Sequence, residues 1–182
     1  MKKSMILLML WCVGFGVFAQ DTDSTNTISI MQIDAFNYAA LEATGSYEQH
    51  GLLFQQLYQT AGMQGISMDG APFSIYYNSP SDAPEDSLKW ELCLEIKADA
   101  EVDSPFVKKA WNYTTLAVNH YEGSFSDEAM GQAFGSLFAW ITKKGYQPAG
   151  PMMQKFLGMP TEGDDGEWTG KIDIVMPVTK TE

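Results

Sequence analysis

No arginine occurs among the 182 residues; all eleven basic side chains are lysine, set against 23 Asp and Glu for a net charge of −12. Phosphate backbones are held by clusters of Lys and Arg, so a nucleic-acid partner is excluded. The missing guanidinium also removes the planar fork that grips carboxylates and phosphates with two bonds. An acidic surface of this kind keeps a protein soluble, and it favours a neutral or cationic ligand over an anionic one. Histidine is almost as scarce. His50 and His120 stand far apart, with no cysteine or carboxylate at ligand spacing, which indicates neither a metal site nor a catalytic triad. A Gly-rich phosphate loop and a nucleophile elbow are also lacking, since Gly131-Gln132-Ala133-Phe134-Gly135 falls inside a helical stretch. The sequence calls for no cofactor.

Long apolar runs are missing except at the start. Lys2-Lys3 precede Met5 to Phe18, and Val17-Phe18-Ala19 places small residues at the −3 and −1 positions, so residues 1–19 read as a secretory signal cleaved after Ala19. The run is shorter than the roughly 20 residues that cross a bilayer. The expected product is periplasmic or secreted, with no stable membrane insertion once the signal is gone. Cleavage also removes Cys12 and two lysines, taking the charge to −14. Cys93 is then the one cysteine left, which forbids an intramolecular disulfide. Its place in the alternation Leu92-Cys93-Leu94 marks a packing residue rather than a nucleophile, because apolar burial raises a thiol pKa. Residues 20–27 are polar and acidic and read as a leader, leaving 28–182 as one domain.

That domain is written twice. Phe54-x-x-Leu57-Tyr58, Gly65, Gly70, Tyr76-Tyr77 and Pro80 return as Phe134-x-x-Leu137-Phe138, Gly145, Gly150, Phe156-Leu157 and Pro160, at a constant offset of 80; upstream, Gly45-Ser46-Tyr47 returns as Gly123-Ser124-Phe125. Repeat one covers 28–96, a linker 97–109, and repeat two 110–178. Each repeat reads as strand, helix, strand, strand. Ile28 to Ala43 alternates with β-branched residues and reads as a strand, as does Ala110 to Tyr121. Ser46 with Gln49, and Ser124 with Asp127, look like helix caps. Leu53, Leu57 and Ala61 share one helical face, Met130, Phe134, Leu137 and Ile141 another, and Gly65 and Gly145 stop the two helices. Phe73 to Tyr77 and Trp90 to Ile96 complete the first unit. Met152 to Leu157 and Lys171 to Met176, ended by Pro177, complete the second. The predicted fold is α+β: a pseudo-twofold duplication of a β-α-β-β unit forming an antiparallel sheet with two helices on one face. The other face, or the cleft between the half-sheets, is left for a ligand.

Several segments carry a resemblance. Tyr121-x-Gly123-x-Phe125, Phe134-x-x-Leu137-Phe138-x-Trp140-Ile141, Lys144-Gly145-Tyr146, Pro148-Ala149-Gly150-Pro151 and the ending Asp173-Ile174-Val175-Met176-Pro177-Val178 are similar to the pattern of GyrI-like small-molecule-binding domains, the effector-binding domains of bacterial transcription activators. The resemblance is clearest from Ala110 to Val178 and fainter from Met31 to Ile96. It implies a pocket between the two units, lined by aromatics over an acidic residue, that accepts lipophilic and often cationic molecules. The chain departs from the pattern in two ways. Asp173 stands where glutamate is usual, one methylene shorter, and a signal-like segment replaces the usual DNA-binding helix-turn-helix, so direct transcriptional regulation is not implied.

Asp173 is the sharpest candidate for chemistry. Ile172, Ile174 and Met176 face one way along the last strand, which puts Asp173 and Val175 on the other. A buried carboxylate is costly unless paired, and a cation would pair it. Trp90, Tyr113, Tyr121 and Phe156, with Trp140 from the second helix, are the aromatics expected to join it, since ring faces attract cations by about 0.5–2 kcal/mol each. These residues predict an exported protein that holds a small hydrophobic or cationic molecule, for sequestration or sensing. A hydrolase using Asp173 as general acid or base is the alternative, and a haem-binding protein of the related SOUL type, with His120 as axial ligand, is a further one.

Overall fold

The computed structural model describes residues 27–67 and 70–181; the signal-like segment and most of the leader lie outside the described residues. Ten strands run as β1 (Thr27–Gln32), β2 (Phe36–Thr44), β3 (Phe73–Tyr76), β4 (Lys89–Ile96), β5 (Val107–Trp111), β6 (Thr115–Ser124), β7 (Tyr146–Pro148), β8 (Met152–Phe156), β9 (Thr161–Glu162) and β10 (Trp168–Lys180), with helices α1 (His50–Gln64) and α2 (Asp127–Lys143). The main sheet is ordered β1-β6-β10-β8-β3-β4-β2-β5, antiparallel at every junction, and β7 and β9 add to β10.

The duplication is a geometric twofold. At the seam between β3 and β8, Phe73 pairs with Lys155, Ser74 with Gln154 and Ile75 with Met153. With an offset of 80, the Ser74–Gln154 pair maps onto itself, so the pseudo-axis passes through it. The sequence reading needs correction at the first strand of each unit. Ile28 to Ala43 is not one strand but two, broken at 33–35; Ala110 to Tyr121 likewise breaks at 112–114. The pieces are exchanged: β1 pairs with β6 of the second unit, and β5, which begins inside the expected linker, pairs with β2 of the first.

This exchange bends the sheet. In the strand order β1 and β2 lie six positions apart, about 29 Å on a flat sheet at ~4.8 Å per strand. The three residues between them reach only about 14 Å. The same mismatch joins β5 to β6, so the sheet must curl until its two ends approach. Ile33 N–H donates to the Thr114 carbonyl at 3.0 Å, tying the two connections together. The face without helices therefore lies inside and is filled, rather than left open as the alternation suggested. Tyr38, Phe73, Ile75, Cys93, Trp111, Val118, Met153 and Val175, from seven different strands, make one buried cluster there.

The outer face carries the helices. Leu57 and Ala61 of α1 bury against Leu92, Leu94 and Ile96, and Ala133, Leu137 and Ile141 of α2 against Ile172, Ile174 and Met176. The Leu, Ile and Met side chains among these stabilise by about 1.5–3 kcal/mol each when fully buried. Gly65 (φ 65°) and Gly145 (φ 73°) end the helices in the left-handed conformation that glycine adopts without strain. Two caps are shifted. Ser126, not Ser124, caps α2 by accepting from Ala129 N–H, and Ser46 caps a short 3-10 turn before α1. Pro177 does not end the last strand, which continues to Lys180 with Pro177 opposite Leu116.

Candidate functional site

Asp173 points to the inner face, as the alternation of β10 requires. One carboxylate oxygen accepts from His120 Nδ1–H at 2.6 Å across the β6–β10 ladder; the aspartate side chain is 17% exposed and the histidine 45%. A cavity of about 260 Å³ opens beside them, with Leu157 as its apolar side chain and the Lys171–Glu122 ion pair (2.9 Å) at the rim; Ile172 and Tyr121 border it from the strands, but their side chains pack with α2 on the other face of the sheet. Because Nδ1 is committed to Asp173, Nε2 is the free nitrogen of the ring.

The pseudo-twofold reveals a counterpart. Cys93 pairs with Phe73 in the first half and Val175 with Met153 in the second, so beyond the hairpin loops the offset becomes 82 and Glu91 maps onto Asp173. Glu91 also faces inward but is only 3% exposed. Lys109 Nζ from β5 bonds its carboxylate and reaches Glu42 at 2.6 Å as well. Burial alone would depress the Lys109 pKa, but the bonds and charges of Glu42 and Glu91 outweigh it and hold the ammonium protonated. Tyr77 completes the cluster; burial first, then the Glu91 charge, pushes its hydroxyl up to about 12. Burial, followed by the Glu91 charge, also raises the Cys93 pKa, which favours the thiol over the nucleophilic thiolate.

The outer seam holds a second polar group. His50 at the start of α1 donates Nδ1–H to the Tyr47 carbonyl at 2.6 Å, since a carbonyl can only accept. Nε2 is left to accept from Ser74 Oγ–H at 3.2 Å; Tyr76 Oη lies 3.0 Å away but gives its one proton to Gln154 Oε1 at 2.8 Å. Burial lowers the His50 pKa, partly offset by its bond to the Tyr47 carbonyl. Trp90 lies 4.3 Å from the imidazole, centroid to centroid, and Phe54 meets Phe156 edge-on at 5.0 Å.

The six residues singled out in the sequence do not form one site. Asp173 and Tyr121 border the same cavity, but the Tyr121 side chain packs with α2 on the other face of the sheet. Trp90 and Phe156 sit together on the opposite side of the sheet, around His50. Tyr113 stands edge-on to Trp111 at 4.9 Å, and Trp140 lies on α2 under Lys144 Nζ, 5.6 Å from its ring. Sequence reasoning missed Glu91, Lys109 and the His50 cluster. Aligning the second hairpin with its two extra loop residues would have found Glu91. Among the described residues no group of His, Cys, Asp and Glu has metal-binding geometry.

The comparisons with known proteins agree with this architecture. The family described as the GyrI-like small molecule binding domain matches residues 26–179. The crystal structure of the EcmrR C-terminal domain superposes with a TM-score of 0.70 at 15% identity, over 86% of this chain and 99% of that one. A hydrolase from Listeria innocua follows with a TM-score of 0.59 at 12% identity, over 84% and 92%. SAV2435, solved bound to tetraphenylphosphonium, gives 0.50 at 11% identity, over 84% and 94%. At these identities the likeness is one of fold. No curated protein matches the chain.

Proposed function

Since the chain belongs to the GyrI-like small-molecule-binding family, we propose that it binds a small hydrophobic cation in the cavity beside Asp173. The observation that carries this reading is the contrast between the two inward acids. Glu91 already has a lysine as its cation, whereas Asp173 has a half-exposed imidazole and an open cavity bordered by Leu157. A ligand bearing positive charge would take the place that Lys109 fills in the other half, with its hydrocarbon against Leu157. The net charge of −12 supports the sign of the ligand by raising the local concentration of cations. The signal-like segment supports export, so that the domain sequesters or senses its ligand outside the cytoplasm. Mature protein beginning at Gln20, read by intact mass, is the expected product.

Tetraphenylphosphonium is a suitable first probe, being the ligand of SAV2435. Titration calorimetry is expected to show Asp173→Asn weakening it severalfold, through lost charge attraction alone, since the phosphonium has no N–H or O–H to donate. Equal affinity in both proteins would overturn the reading.

One observation favours hydrolysis as a second reading: Asp173 fixes the His120 tautomer and leaves Nε2 free, the arrangement of a general base. On that reading His120→Ala abolishes turnover of an electrophilic substrate while its binding survives.

A further inference from the structure

Four charged or titratable side chains border the cavity from the inner face, His120 and Glu122 on β6 opposite Asp173 and Lys171 on β10. Lys171 is spent on Glu122 at 2.9 Å, so that pair adds no net charge. Lys155, which stands opposite Asp173 on β8, turns instead to Glu95, 3.9 Å away. On the far side of β6, β1 sets Thr27, which carries no charge, opposite His120. What remains is the Asp173–His120 pair, with Nδ1 on the carboxylate and a half-exposed ring. Imidazole is the side chain that ordinarily gains and loses its charge between about pH 5 and 8. While the ring is neutral the cavity holds one uncompensated negative charge; a proton on Nε2 cancels it. The first half has no such alternative, because its internal cation is a lysine, which stays charged throughout that range.

We infer that the Asp173 site exchanges a cation for a proton: the ligand and the second proton of His120 compete for one carboxylate, so acidification releases the ligand. The inference rests on the cation reading above and adds its regulation. A neutral His120 keeps its bond to one aspartate oxygen and leaves the other to the ligand's charge. An imidazolium there opposes the ligand, since it sets two positive charges against one carboxylate. The coupling is mutual. A bound cation must shift the His120 titration to lower pH by the same factor through which the proton weakens the cation. Solvent around the ring holds that factor to the severalfold range. His50 takes no part, because it lies on the other face of the sheet with Nδ1 on the Tyr47 carbonyl.

Tetraphenylphosphonium has no proton to gain or lose, so any pH dependence of its binding to the full chain belongs to the protein. Calorimetric titrations from about pH 8 down to about pH 5 should show the wild type losing affinity severalfold. Repeated in buffers of different ionisation enthalpy, they should register proton release on binding. His120→Gln offers Asp173 an amide N–H but cannot take up a proton, and it should lose both the slope and the proton release. In NMR spectra, the histidine ring resonance absent from His120→Gln should titrate at lower pH when the phosphonium is bound, while that of His50 keeps its midpoint. A flat wild-type profile, a slope that persists in His120→Gln, or an unmoved His120 titration would overturn the inference and leave the cation reading standing. Absence of binding at every pH would sink the two together.

Discussion

The two halves place an acid at the same inward position, and they treat it in opposite ways. In the first half Glu91 is sealed by Lys109, with Glu42 and Tyr77 around it. In the second, the register puts Met31 where Lys109 stands, His120 where Glu42 stands and Leu157 where Tyr77 stands. The duplicated fold thus supplies two equivalent inward positions, one filled by an internal cation and the other opening on a cavity beside Leu157. Duplication alone would give two sites. Here, a few side chains separate a copy whose acid is held by an internal lysine from one whose acid meets only a half-exposed histidine.

Removing the internal cation is the harshest way to break this comparison. Lys109→Met copies the second half into the first and leaves Glu91 buried without its partner, at a cost of about 3–5 kcal/mol. Denaturant unfolding should show the midpoint falling, with most of the loss recovered in Lys109→Met/Glu91→Leu, because replacing both partners leaves no stranded charge. The matching change in the second half, Asp173→Asn, should leave unfolding within about 1 kcal/mol of wild type, since its partner His120 is exposed enough to be solvated. Similar losses at both positions would mean that the second acid is structural too.

Much of this was legible in the residues, and the parts that were not have identifiable reasons. The constant offset of 80 gave the duplication, and the helix faces and their glycine stops fell where Leu57, Ala61, Leu137 and Ile141 placed them. Asp173 lies opposite Ile172 and Ile174 because strand alternation leaves no choice. The exchanged strands were hidden because Ile33-Asp34-Ala35 and Asn112-Tyr113-Thr114 contain neither Gly nor Pro, so alternation ran through both breaks. Without that exchange the curl of the sheet could not be foreseen, and the inner face looked vacant. Trp90 and Tyr113 therefore read as neighbours of Asp173, although the sheet separates Trp90 from it. Glu91 escaped notice because the second loop is two residues longer, which shifts the repeat out of its simple register.

The outer seam offers a milder contrast. At the place where the first half has His50, the second has Met130, 80 residues on. Burial holds the His50 pKa below the ordinary value near 6.5 in the folded state, so the unfolded chain binds more protons. Its neutral form contributes fully above about pH 6.5, and the contribution is lost as pH falls below that value towards the depressed folded pKa. One proton limits the slope to about 1.4 kcal/mol per pH unit. His50→Met, which copies the second half, should flatten that segment of the stability–pH curve. An unchanged slope would assign the acid sensitivity to the carboxylates.

The smallest effect tests whether the two copies are alike where no chemistry is involved. Gly65 and Gly145 close α1 and α2 at matching positions with φ of 65° and 73°, and a Cβ would meet nothing within 4 Å at Gly65 and only Thr181 Oγ1, at 3.8 Å, at Gly145. Neither site resists alanine by crowding, so each substitution should cost only the left-handed backbone, about 1 kcal/mol. The two sites lie on separate helices and share no partner, so the double variant should lose the sum within about 0.5 kcal/mol. The Gly145 carbonyl also accepts from Thr181 N–H at 3.0 Å, a tether between α2 and the end of β10. If Gly145→Ala costs much more than Gly65→Ala, that tether makes the second half the more constrained copy. Equal costs mean that the halves share one scaffold and differ only in the side chains that face inward.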